Sequence, residues 1–342
     1  MSLKLIITRD FDHLSEVANT LVTERIATVV AERGAFNLGL ATGNSPTGLY
    51  KWLAKSANAG AFDAAKVTTF NLDEYVGLPG RNVQARVLHP QSYGYFMIQE
   101  LFGLMRTKFA RTNVPWGCLI DQAQLVAELE ANPRDWAEQG ADKGKAIVIR
   151  PDAASSMLRW VREQILAAYA AEIAGAGGID LHVIGVGGRG HVAFHEAGIP
   201  FEGNGMLLVK LDDNTVANAV ADGHFATEED SPRYAISMGA ELVYRARTVL
   251  LLANGARKAE PVAASLAGDV SAAVPISYGQ QYARDGGEMV YVIDEAAAAG
   301  VLARRTQIEA RGVDIDDRRA QAASKPVSAC MFSRDAEAGT LG

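Results

Sequence analysis

Short apolar runs of strand length alternate with longer amphipathic stretches along most of this chain, at 3–7, 36–41, 67–72, 181–186, 248–253 and 289–293. Between the first two runs, Leu14, Val17, Ala18, Leu21, Val22, Ile26, Val29 and Val30 recur at helical spacing, and Gly34 supplies a stop. Strands that alternate with helical stretches make βαβ units, whose strands run parallel. The pattern therefore predicts an α/β fold, a single Rossmann-like domain with a mostly parallel sheet flanked by helices. In such sheets ligands bind beyond the carboxyl ends of the strands.

Polar residues gather at those ends. Thr42, Asp73, His191 and Lys258 each follow a predicted strand. In LATGNSPTGLY (40–50), Asn44 or Ser45 can cap a helix whose first position takes Pro46. Backbone N–H groups and the helix dipole there attract an anion, with hydroxyls from Thr42 and Ser45 as added donors. The same stretch also reads as an ordinary capped turn. In NGARKA, Lys258 is expected in the first turn of a helix, where the dipole disfavours a cation. An anionic ligand accounts for it, and so does a solvated lysine. FNLDEYVGLP (70–79) sets Asp73 and Glu74 at a strand end, as a buried proton shuttle or as an acidic turn. In IDLHVIGVGGRGHVAFHEAG (179–198), glycines permit a tight turn, and His191 and Glu196 can pair so that the carboxylate orients the ring. His191 and His195 would share a metal only on a helix. No third ligand is spaced to join them, so no metal is expected.

The chain has 342 residues, 49% of them hydrophobic, which is ample for a large core. A net charge of −7 without a basic stripe argues against a nucleic-acid partner. The opening MSLKLIITRDFD has too short an apolar run for a signal peptide or membrane anchor, so no membrane association is expected. Cys118 and Cys330 lie far apart without metal-ligand spacing and read as reduced thiols, which places the protein in the cytoplasm. Residues 1–304 are expected to form the domain, with 116–150 (including RDWAEQGADKGK) as an irregular surface insertion and 305–342 as a helical or loose extension. Nothing in the sequence opposes a homo-oligomer.

FNLDEYVGLP, HPQSYGYFM (89–97) and GHVAFHEAG (190–198) resemble the signature stretches of glucosamine-6-phosphate deaminases. LATGNSPTGLY and NGARKA are similar to that family's phosphate loop and lysine segment, in the same order. The resemblance implies aldose–ketose isomerisation followed by loss of ammonia, on a small sugar phosphate and without metal or organic cofactor. It implies Asp73 as the base moving a proton between C2 and C1, and His191, steadied by Glu196, as the group that opens the pyranose ring. Thr42, Gly43, Asn44, Ser45 and Lys258 would hold the phosphate. The related 6-phosphogluconolactonases share the fold but not FNLDEY or AF-x-E.

Three positions depart from the family pattern. Arg189 stands where an Asp belongs two residues before His191, Thr215 replaces a phosphate-binding Arg, and His195 replaces an Asn. A cation beside His191 would weaken it as a proton carrier. Arg189 is therefore open to a role as a relocated phosphate or carboxylate ligand, or as a plain loop residue. A lactonase-type hydrolase, in which His191 activates water, and a sugar-phosphate sensor without catalysis stay open as alternatives.

Overall fold

Eight parallel strands form the main sheet of the computed structural model, which describes residues 2–328 apart from 222, together with the backbone of 334–335 and 340–341. In chain order the strands are β1 (Ser2–Thr8), β2 (Phe36–Leu40), β3 (Val67–Asn71), β4 (Asp73–Tyr75), β5 (Arg111–Asn113), β6 (Trp136–Gln139) and β7 (Lys145–Ile149). There follow β8 (Leu181–Ile184), β9 (Met206–Lys210), β10 (Tyr234–Met238), β11 (Thr248–Ala253), β12 (Glu288–Asp294) and β13 (Asp314–Asp317). The main sheet runs β13-β1-β12-β11-β8-β2-β3-β5, and every pairing in it is parallel.

Both faces of that sheet are buried, as the apolar strands require. Leu250 and Leu252 of β11 pack on the side of helices α1 (Phe11–Arg33) and α2 (Thr47–Asn58), while Val249 and Leu251 face the opposite cluster with Val262 and Leu266. Helix α1 begins where the Asp10 side chain accepts a bond from the His13 amide at 2.9 Å. It ends at Gly34, whose φ of 77° only glycine adopts without strain. Leu14, Val17, Ala18, Val22 and Ile26 form its buried stripe.

A second sheet, β4-β10-β9-β7-β6, is antiparallel and was not legible in the apolar pattern. It corrects the expectation of an irregular insertion at 116–150. That segment carries the helix Gln122–Ala131 and the strands β6 and β7, and it buries Leu125, Leu129, Ile147 and Ile149 against Leu208 and Ile236. Its mixed composition reflects an edge position, since Glu138 and Val148 face outward. Nor is β12 the final strand, because β13 pairs with β1 beyond the helix Arg305–Ala310. DIDD has no apolar pattern, so only backbone pairing reveals it as a strand. Cys330 lies outside the described residues. Among the described residues, no helix is long and apolar enough to cross a membrane.

The two sheets meet at Leu72, the single residue between β3 and β4. Its N–H donates to Leu40 in the main sheet at 3.0 Å, and its carbonyl accepts from Met238 in the second at 2.8 Å. Asp73 therefore emerges at a fixed point on the seam.

Candidate active site

Four neighbouring strands, β11-β8-β2-β3, end on one side of the main sheet. Beyond their carboxyl ends lies a cavity of about 460 Å³, lined by the loop 42–45, Asp73, His191 and Lys258. Residues that are distant in sequence thus share one space.

After β2 the chain turns at Gly43 with φ +99°, and α2 starts at Thr47 behind Pro46. The expected capping by Asn44 or Ser45 is corrected. No side chain caps this helix, and Pro46 sits one position earlier than anticipated. The Ser45 hydroxyl donates instead across the cavity to Asn254 Oδ1 at 2.7 Å, and the Asn44 carbonyl accepts from the Thr47 hydroxyl at 2.8 Å. After β11, the Gly255 amide reaches both carboxylate oxygens of Asp294 at 3.0 and 3.1 Å, which fixes the turn that presents Lys258. Lys258 closes a 3-10 turn rather than lying inside the following helix, and its Nζ donates to the Val186 carbonyl at 2.7 Å. Its charge is thereby anchored beside the glycine turn after β8.

Asp73 and Glu74 point into different surroundings. Asp73 lines the cavity and is only 6% exposed. Burial, reinforced by the charge of Glu74, pushes its carboxyl well above the usual carboxylate range. Glu74 is turned inward and accepts four bonds, from Tyr75 N at 2.9 Å, Ser92 Oγ at 2.7 Å, Tyr93 N at 3.0 Å and Gly94 N at 3.1 Å. Burial pushes its carboxyl up, against the pull of these donors. Those bonds hold the start of the helix Tyr93–Glu100, and Ser92 and Tyr93 form part of the cavity wall.

His191 rests on the glycine turn so closely that a Cβ on Gly187 would lie 1.8 Å from its Nε2. Its Nδ1 stands 3.4 Å from Glu196 Oε2. The other oxygen of Glu196 accepts from the Thr215 hydroxyl at 2.7 Å and the Asp212 amide at 3.3 Å. Burial alone would raise Glu196, but His191, Thr215 and the Asp212 amide together hold its carboxyl below the usual range. His195 is a structural residue. Its Nδ1 accepts from the Ala240 amide at 3.0 Å and its Nε2 faces the Ile199 carbonyl at 3.0 Å, while burial lowers its pKa to about 4. With both ring nitrogens engaged, it does not share a ligand with His191. Between them Ala193 takes a φ of 51°, a left-handed conformation unusual for a residue with a Cβ, at the cavity wall.

Arg189 does not line the cavity, which corrects its expected place in the phosphate site. Two carboxylates draw its guanidinium away: Asp212 Oδ2 lies 3.0 Å from Nη1, and Asp142 pairs with Nη2. Thr215, in place of an arginine, spends its hydroxyl on Glu196. A second cationic side chain at the cavity wall is Arg257, next to Lys258 in NGARKA and not among the residues expected there. Gln91, Ser92, Tyr93 and His224 were missed as well. HPQSYGYFM carried the signal for the first three, while His224 sits in a stretch without a motif.

A family model described as glucosamine-6-phosphate isomerases/6-phosphogluconolactonase matches residues 134–286. Glucosamine-6-phosphate deaminase of Rhodopirellula baltica is 33% identical over 288 residues, which span 84% of this chain and 92% of its own length. The enzyme of that name from Clostridium perfringens is 33% identical over 297 residues, 86% of this chain and 98% of the relative. Among solved structures, a monomeric glucosamine-6-phosphate deaminase superposes with a TM-score of 0.65 at 25% identity, over 87% of this chain and 100% of the other. The 6-phosphogluconolactonase of Trypanosoma brucei, 16% identical over 86% of this chain and 97% of its own, shares the fold with a TM-score of 0.55. With its own strand-end residues gathered in one cavity and relatives of this similarity along nearly their whole length, the chain belongs to the glucosamine-6-phosphate deaminase family.

Proposed function

We propose that this protein converts an amino-sugar phosphate of the glucosamine 6-phosphate type into the corresponding ketose phosphate and ammonia. The observation that carries the reading is that Asp73, His191 and the Thr42–Ser45/Lys258 wall open onto one cavity, with Glu196 behind the imidazole. The environments of the two carboxyls separate their roles. A base works best with its proton affinity raised toward the working pH, as burial does for Asp73, whereas a carboxylate that steadies an imidazole must stay ionised, as Glu196 is held.

The reading assigns His191 to the ring oxygen, to which it delivers a proton as the C1 hydroxyl loses one, so that the ring opens to the aldehyde. The Asp73 carboxylate then takes the proton from C2, leaving an enolamine, and returns it to C1. The imine left at C2 adds water and releases ammonia, giving the ketose. Thr42, Gly43, Asn44, Ser45 and Lys258 hold the phosphate, through loop amides, hydroxyls and one ammonium. The steps are proton transfers, opening of the C1–O bond, addition of water and departure of ammonia, none of them a redox change, so the reading calls for no cofactor. It also calls for no nucleic-acid or membrane partner, and it fits a cytoplasmic protein, alone or as a homo-oligomer.

The test is incubation with a panel of hexose and hexosamine 6-phosphates in D₂O, reading ammonia, ketose and deuterium at C1. Ammonia and ketose in equal amounts, with deuterium at C1, are expected from an amino-sugar phosphate. Hydrolysis of a 6-phosphogluconolactone without any exchange, or tight binding with no turnover, would overturn the assignment.

A further inference from the structure

Glu196 is contacted by two stretches of chain that lie far apart in sequence. On one side is the amide of Asp212 with the hydroxyl of Thr215, both bonded to its Oε1. On the other is the turn between β6 and β7, where a Cβ on Gly144 would lie 2.5 Å from the Glu196 Cβ. That turn is tied down by the Ala141 amide, which donates to the Gly198 carbonyl at 2.9 Å. Arg189 spans the two stretches, one arm on Asp142 in the turn and the other on Asp212. Asp212 is nearly buried, at 5% side-chain exposure against 42% for Arg189, and its Oδ1 also accepts from the Asn214 amide at 2.7 Å. The two stretches are also joined by the β7–β9 ladder, in which Lys145 pairs with Lys210, while the ion pairs Lys143–Asp213 at 3.3 Å and Lys210–Glu138 at 3.2 Å lie between exposed side chains and contribute little.

We propose that Arg189 is a positioning residue: it clamps the β6–β7 turn and the Asp212 amide onto Glu196 and so holds that carboxylate in register with His191. The inference rests on the assignment of His191 and Glu196 as the ring-opening pair. The arginine acts through Glu196 and touches no substrate. Its charge is balanced by two carboxylates, so its effect on the pair is mechanical more than electrostatic. The charged and titratable groups that face the pair are Arg189, Asp212 and His195, with Asp73, Arg257 and Lys258 across the cavity. The Asp142 carboxyl is held below its usual range by Arg189.

Arg189→Ala should lower kcat on glucosamine 6-phosphate by about 10- to 100-fold, the scale of a misplaced catalytic group, with KM unchanged within about 2-fold. The acid limb of its kcat profile should move to higher pH as Glu196 loses its support. Independently of activity, hydrogen exchange at the Ala141 and Asp212 amides should quicken by at least about 10-fold. Arg189→Lys keeps the charge but cannot grip two carboxylates at once in the same way. It should recover kcat and exchange protection only in part. Full rescue by lysine would mean that charge alone matters and would overturn the clamp. So would unchanged exchange in Arg189→Ala, or a variant whose KM rises while kcat holds, the pattern of a substrate ligand. Should Arg189→Ala fail to fold, exchange in Arg189→Lys carries the same test. If the wild type turns over no amino-sugar phosphate, the functional assignment fails, while the exchange measurement still decides whether the clamp exists.

Discussion

Glu74 concentrates more structure on one side chain than any other residue near the cavity, and its removal gives a result that can be worked out bond by bond. Four donors converge on its carboxylate. In Glu74→Ala two of them find substitutes, because the Ser92 hydroxyl can rotate and the Gly94 amide already reaches Ser92 Oγ at 3.1 Å. The amides of Tyr75 and Tyr93 are left without an acceptor. An unsatisfied buried amide costs about 1–3 kcal/mol, so the pair and the lost packing bring the expected destabilisation to about 3–5 kcal/mol. In Glu74→Gln the amide oxygen can keep Tyr75 and Tyr93, while its nitrogen turns to Ser92. The bond from the Gly94 amide goes, leaving that amide on Ser92 Oγ, and so does the charge assistance, while relief of the buried charge offsets part of the loss. The expected loss there is about 1–2 kcal/mol. Urea unfolding of the three proteins, with equal m-values, measures both numbers. Equal losses in the two variants, or an alanine variant within about 0.5 kcal/mol of wild type, would refute the hydrogen-bond reasoning.

Three further variants probe the site. Asp73→Asn should cut turnover and solvent exchange at C1 by at least about 100-fold. Because burial raises the Asp73 carboxyl in the folded state, its contribution to stability is present at low pH and is lost as pH rises through the ordinary carboxylate range to the raised folded value. Asn at 73 should therefore stabilise the protein at neutral pH, and the gain should vanish below about pH 3, as melting curves across pH would show. Lys258→Ala should raise KM for the sugar phosphate with a smaller effect on kcat, and the effect should disappear with a substrate lacking the phosphate. Gly187→Ala drives a Cβ into the His191 ring, so steady-state kinetics should show kcat falling by about 100-fold while the circular dichroism spectrum stays intact.

The main sheet was readable because its signals are local. Apolar strands such as TVLLLA, glycine stops such as Gly34, and polar residues just past strand ends each act within a few residues. The cavity followed from those same strand ends. The second sheet had no comparable signature. β4 is three residues long, β6 reads WAEQ, and their pairing partners lie far along the chain. Arg189 shows the limit most plainly. Its position beside His191 was evident, but what fixes its placement is Asp142, 47 residues before it, and Asp212, 23 residues after it. Ser45 is a smaller case of the same kind. Its hydroxyl suits a helix cap, yet a partner 209 residues away claims it.

An open sheet presents unpaired amides and carbonyls at both borders, and a second molecule can extend it there. Behind β13 lies β1, whose Leu3, Leu5, Ile6 and Ile7 would make an adhesive border if it stood outermost. β13 takes that place with three aspartates among four residues, and Lys4 and Arg318 hold Asp316 while Arg319 holds Asp317. A strand approaching from another molecule would meet Asp314 and the ion pairs of Asp316 and Asp317 in place of an apolar border. The unpatterned DIDD segment thus closes the sheet by pairing inward and presents charge outward.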